Sequence, residues 1–324
     1  MKLTKNNWWI YVGAGISLLL IGYCLVYIWN YYSANDILWH YPKNSKPNNE
    51  DTLAPNEIAD SIGGVLAPII GLVASILTFL AFYMQKRAND EIRAQFKVQQ
   101  FESQFYEMLR LHKANVDEIE IKSIGSNDPY SKRQAFVSMS NDFKTLLEYI
   151  SGQATLNSVD VEKAYSLFFW GWGNLEHETL SKSWYKIIDG PDKDGPDYDF
   201  VVDFREHDGY GSLLGHYYRH LFMMVKYVVD SDIVKGYEEK MKYLKMLRAQ
   251  LSNHEQIMLF YNWLGGYGEA WENDESQYFT EYRMIHNLWK DELYQNQFIL
   301  DKVTELENKP VKLRTKPLFE YQEQ

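Results

Sequence analysis

Two uninterrupted apolar runs stand near the start of the chain, followed by a long stretch in which apolar positions recur every three or four residues. Residues 8–29 and 62–83 each hold 22 positions without Asp, Glu, Lys or Arg. A bilayer core takes about 20 apolar residues in helical form, so each run predicts a membrane span. The first run is longer than the apolar part of a signal peptide and reads as an uncleaved anchor. Trp8, Trp9, Tyr11, Tyr23, Tyr27 and Trp29 crowd its ends, and Phe82 and Tyr83 close the second, as interfacial aromatic belts do. Beyond it, Ile92, Phe96, Phe101, Phe105, Leu109, His112, Val116 and Ile119 keep helical spacing. The second span is therefore expected to continue as a long amphipathic helix, either a rigid stalk or the seam of an oligomer, until Gly125, Ser126, Asn127, Asp128 and Pro129 end it.

Further helices are predicted over 131–151, 159–175, 212–230, 236–250, 253–264 and 276–305, with a polar tail after Asn308. Between them, 184–204 sets two short alternating runs around a Gly, Pro and Asp cluster, which predicts a small inserted β-hairpin. The expected fold is mainly α. A transmembrane hairpin occupies 1–84 with an external loop at 30–61, a connector helix 85–125, a helical cytoplasmic domain 126–305 carrying the β-hairpin, and the polar tail 306–324.

Charge orients this arrangement. Lys2 and Lys5 precede the first run, and Lys86, Arg87, Arg93 and Lys97 follow the second. The loop between them holds only Lys43 and Lys46 against Asp36, Glu50, Asp51, Glu57 and Asp60. Excess basic charge stays on the cytoplasmic side, so two spans with both termini in the cytoplasm are expected. Ala67, Gly71 and Ser75, with Gly13 and Ser17 on the first run, form small-residue stripes that permit close helix contact. The whole chain has 33 Lys and Arg against 44 Asp and Glu, an acidic balance ill suited to nonspecific binding of phosphate backbones. Its one cysteine, Cys24, lies inside the first apolar run and excludes an intrachain disulfide or a Cys-based zinc cluster.

Candidate chemistry is confined to a few segments. In "GHYYRHLF", residues 215–222, His216 and His220 stand one helical turn apart with Arg219 between them, and the three are candidate catalytic residues. Two such histidines can be zinc ligands, but a metal needs a third, and the glutamate of an H-E-x-x-H arrangement is absent. The same helix is apolar almost all round, so packing is expected, with no metal and no cofactor. The acids of 184–204 do not fit a calcium loop, whose first and twelfth places fall on Gly190 and Val201. In "RAQLSNHEQIMLFYN", residues 248–262, Ser252 and Glu255 form a capping box just before an apolar run, so one helix should stop near Leu251 and another start at Asn253.

Three blocks, "FESQFYEMLRLH" at 101–112, "GHYYRHLFMMVKYV" at 215–228 and "RAQLSNHEQIMLFYN" at 248–262, resemble the AbiC-like phage abortive infection family. The resemblance implies a bacterial protein that limits phage propagation, often by arresting the infected cell, and supplies no settled reaction. The five residues between Arg248 and His254 are also similar to the R-x(4 to 6)-H signature of HEPN ribonucleases. That likeness would make His254 the general acid-base and Arg248 the stabiliser of transition-state charge. The leading expectation is a membrane defence protein, non-enzymatic or conditionally active. Its partners would be membrane lipid, further copies of itself and a phage-derived or host protein trigger. A membrane-tethered HEPN-like ribonuclease, for which alone nucleic acid is a partner, and a scaffold or channel component without a defence role are the alternatives.

Overall fold

The computed structural model describes residues 8–34, 55–122, 124, 129–151, 156–171 and 207–323. The chain divides into two compact units, Met1–Phe96 and Lys97–Gln324. The hairpin expected at 184–204 lies outside the described residues, as does most of the loop expected at 30–61.

The first unit is built from α1 (Trp8–Ala34) and the beginning of α2 (Pro55–Asp117). One stretch within α2, Leu66–Asp117, is long and apolar enough to cross a membrane, whereas the apolar stretch of α1 is the shorter Gly15–Asn30. Ser17 Oγ donates to Gly13 O at 3.0 Å and Ser75 Oγ to Gly71 O at 2.8 Å. These back-bonds occupy hydroxyls that an apolar medium would leave unpaired. Ser17, Val73 and Leu80 are buried, and a Cβ on Gly13 would stand 3.8 Å from Leu80 Cδ1. Gly13 and Ser17 thus mark where the two helices meet, while Ala67, Gly71 and Ser75 are exposed.

In the second unit the last turns of α2 are followed by a two-stranded antiparallel hairpin, β1 (Glu120–Lys122) and β2 (Pro129–Ser131). Five helices come next: α3 (Arg133–Ser151), α4 (Ser158–Trp170), α5 (Gly211–Val229), α6 (Tyr237–Arg248) and α7 (Asn253–Leu264). Turns then lead to α8 (Gln297–Asn308). The centre is α7, where Ile257, Met258, Leu259, Phe260 and Tyr261 are buried in succession. Five consecutive buried positions require a helix enclosed on every side. α3 and α4 cover it, and α5 packs on α4 and α6. Phe143 of α3 meets Tyr165, Phe168 and Tyr261 edge-on at 5.6, 5.2 and 4.8 Å, an arrangement aromatic rings favour.

Three features differ from the sequence expectation. The connector helix stops at Asp117 instead of reaching 125, because Ile119, Ile121 and Ile124 are buried and Lys132 N donates to Ile119 O at 2.8 Å, closing the hairpin. The cluster expected to end the helix therefore falls between β1 and β2 in sequence, and 125–128 lie outside the described residues. Helix 276–305 is absent over its first two thirds: only Gln297–Asn308 is α-helical. Upstream, the buried Glu272 carboxylate accepts from Phe279 N, Thr280 N and Thr280 Oγ1 at 3.0, 2.9 and 2.6 Å, diverting amides that a helix would use. Finally, residues after Asn308 fold back onto the core. Glu281 accepts the backbone N–H of Lys312 and Leu313 at 2.7 Å each, and that of Arg314, which brings Leu318 and Phe319 into the interior.

Candidate functional site

The two histidines of α5 part company in the fold. His216 is exposed and His220 half-buried, and His220 stacks on a third imidazole, His112 of α2, with centroids 5.9 Å apart and planes 10° from parallel. His112 also leans on Tyr217 at 5.2 Å. It is 1% exposed, and neither of its ring nitrogens has a hydrogen-bond partner. An imidazole so placed resists protonation: burial above all, then the neighbouring His220 and Arg133, push its pKa down to about 4. The His220 pKa is lowered too, by burial and then by His216. The sequence pattern counted His112 as one more apolar position of the α2 stripe; a partner 108 residues away leaves no local signal.

A pH dependence follows. An unfolded His112 titrates near 6.5 and the folded one near 4, so between these values the unfolded chain binds a proton that the folded chain refuses. Stability is whole above the higher value and falls as pH drops toward the lower, by about 3 kcal/mol in all. Urea midpoints taken across this interval are expected to fall steeply for the wild type and much less for His112→Gln.

Next to this pair lies a polar junction through α7. The capping box is present: Glu255 N donates to Ser252 Oγ at 3.3 Å and Ser252 N to Glu255 Oε2 at 2.6 Å. Glu255 does more than cap, since it also accepts from Tyr217 OH at 3.1 Å and lies 3.7 Å from Arg133 Nε. Burial raises its pKa, against the hydrogen bonds from Ser252 and Tyr217 and the charge of Arg133. Arg133 is fixed in turn by donating to Gln250 O at 2.7 Å. One carboxylate thus ties α7 to α5 and to the start of α3.

Arg248 and His254 face different neighbours. The Arg248 guanidinium donates to Arg283 O at 3.2 Å; burial first, then Arg283, push its pKa down to about 10, while Glu323 and Glu320 oppose the shift. His254 is half-buried, its Nδ1 unpartnered, and its charged neighbours are Glu292 and Lys144. Burial is the main cause of its lowered pKa. Arg219 is exposed, donates to Gly215 O at 2.9 Å, and borders a 580 Å³ cavity with Trp170, Phe222 and Tyr267. Around Arg248, sequence reading missed a tight cluster. Arg283, buried and at φ 60°, pairs with Glu323 and has its NH2 group 3.3 Å from His286 Nε2. His286 Nδ1 stands 2.7 Å from Leu318 O and 3.0 Å from the same guanidinium NH2 group, so the ring lies between the C-terminal backbone and Arg283. This cluster holds the C-terminal segment down. Among the described residues no three His, Cys, Asp or Glu side chains converge as a metal-binding group.

Residues 209–293 match the family described as "Putative phage abortive infection protein". The matched domain takes in α5, α6, α7 and the turns up to Leu293, with His216, His220, Arg248, His254, Glu255 and Arg283, while His112 and Arg133 lie outside it. No curated protein and no solved structure matches the chain.

Proposed function

We propose that the chain is a membrane-anchored bacterial anti-phage protein whose helical unit acts from the cytoplasm to abort infection. One observation carries the reading. The helix that contains the stretch apolar enough to cross a membrane, α2, also gives Phe101, Phe105, His112 and Val116 to the core that holds the matched domain. Anchor and defence domain therefore share one secondary-structure element. The basic residues flanking 8–29 and 62–83 support an inner-membrane hairpin with both termini cytoplasmic. The exposed Ala67, Gly71 and Ser75 support association of copies through this span, with a phage or host component as trigger.

Phage challenge of cells expressing wild type, Arg248→Ala, His254→Ala and a variant with Leu72 and Phe79 both replaced by Arg tests this. Leu72 and Phe79 are exposed apolar positions of α2, where charge opposes insertion at a cost of about 3 kcal/mol each. Wild type is expected to reduce plaques and the double arginine variant to lose protection. The two alanine variants should lose protection only as far as their abundance falls. Unchanged plaques with wild type would sink the defence reading, and full protection by the double variant would sink the anchor. His254→Ala that is abundant and stable yet inactive, leaving intact the RNA that wild type degrades, would put the Arg248 and His254 ribonuclease in its place.

A further inference from the structure

Beside the stacked histidines a cavity of 590 Å³ opens between the last turns of α2, the β2–α3 junction and the α6–α7 connection. His112 and Lys113 line it from α2, Lys132, Arg133 and Gln134 from the start of α3, and Gln250 from the third side. The volume falls within the range of small-molecule sites. In a chain of formal charge −11, this cavity gathers three cations against one acid, Asp117, which lies 3.9 Å from Lys132 Nζ. Lys113 has no ion pair among the described residues. Arg133 is held in place by Gln250 O and Glu255, as described above.

Two independent features give this charge a direction. The first turn of α3 borders the cavity and contains no acidic residue of its own, so the positive end of a 19-residue helix adds to the charge of the lysines there. The second is His112. A side chain 1% exposed with two buried, unpartnered ring nitrogens is an exception to the rule that buried polar groups are satisfied, and the residue borders the cavity. A neutral imidazole offers one donor and one acceptor, which is what a partly protonated oxyanion can use. A carboxylate would satisfy the charge, but a tetrahedral group with three free oxygens offers a separate acceptor to each of several donors.

We propose that this cavity binds a phosphate monoester, its phosphoryl oxygens seated between Lys113, Lys132 and the first turn of α3, with His112 hydrogen-bonded from the wall. The monoester is either the phosphate of a soluble nucleotide or the headgroup of a lipid such as phosphatidic acid, and the chemistry of recognition is the same. The inference does not depend on the defence reading, because it concerns binding by the purified chain.

The test uses the full-length chain in detergent, titrated calorimetrically with AMP, with adenosine, and with short-chain phosphatidic acid against a phosphatidylcholine control. At least one monoester is expected to bind saturably, adenosine and phosphatidylcholine not at all, and the affinity to fall as salt rises. AMP binding identifies the soluble source, phosphatidic acid binding the lipid. Lys113 is exposed, so Lys113→Glu should keep the melting temperature while weakening the monoester about tenfold or more. Lys113→Arg should restore most of the affinity. Failure of both monoesters to bind, equal binding of adenosine and AMP, or an affinity untouched by Lys113→Glu would each overturn the proposal.

Discussion

Phe105→Ala is expected to lower the unfolding free energy by about 3–5 kcal/mol, a large fraction of what holds an ordinary domain together. Phe105 is fully buried and meets the ring of Tyr243 edge-on at 5.3 Å. Phe101, one turn earlier, stacks on Tyr227 at 4.8 Å and meets Tyr243 at 5.1 Å. Tyr243 Oη donates to Glu102 Oε1 at 2.9 Å, so the rings around Phe105 are fixed and cannot collapse into the vacated space. A cavity at such a site retains most of its cost. Phe96 provides the comparison on the same helix: it is 64% exposed, and Phe96→Ala should fall within about 0.5 kcal/mol of wild type. Denaturant titration of both variants, followed by the near-ultraviolet signal of the aromatic cluster, checks the pair. The stripe on α2 was open to two readings from sequence, a rigid stalk or an oligomer seam, and from Phe101 onward it is core of its own chain. A Phe105→Ala protein that is as stable as wild type but dissociates from other copies would restore the seam.

How much of this was legible in the sequence depends on the range of the forces involved. The helices at 133–151, 158–170, 211–229, 237–248 and 253–264 lie within a few residues of where periodicity puts them, because period and capping are local. Ser252 and Glu255 announce their helix start outright. The segment 273–296 could not be read so. Its composition suits a helix, and what prevents one is the buried Glu272 carboxylate, which takes the amides of Phe279 and Thr280 within the segment, while Glu281 is turned to the amides of 312–314. The candidate site shows the same division. His216, His220, Arg248 and His254 stand out by spacing, yet His220 finds its ring partner on α2 and Arg248 its neighbours near the C-terminus. Glu255 was identified for capping, and its bond to Tyr217 and its approach to Arg133 depend on α5 and α3 being brought to it by the core. Spacing along one helix reports which residues share a face; it says nothing about what that face meets.

Gly209→Ala tests a junction of this nonlocal kind, and it is expected to cost about 3 kcal/mol or more. Gly209 has φ +78°, and a Cβ there would stand 2.4 Å from Gly171 N and Phe169 O and 2.6 Å from Trp170 C. Gly171, at φ +76°, is equally closed: its Cβ would meet His207 O at 2.4 Å. The obstructing atoms are backbone, and the backbone of α4 is held by Gly171 N donating to Leu167 O at 2.8 Å and by Tyr210 N donating to Phe168 O at 3.1 Å. Neither strand of chain can step aside without breaking those bonds and moving Tyr210, whose hydroxyl donates to the buried Asp142 at 2.6 Å. Gly236 separates the two contributions to the cost. Its φ is +85° and its ψ 153°, yet nothing lies within 4 Å of a Cβ built on it, so Gly236→Ala carries only the backbone cost of that positive-φ conformation, about 1–3 kcal/mol. The difference between the two melting curves therefore measures backbone contact at the Gly171 and Gly209 crossing. Equal losses in the two variants would mean that the chain ends on either side of 172–206 do not meet as described, and that α4 and α5 are brought together by side-chain packing alone.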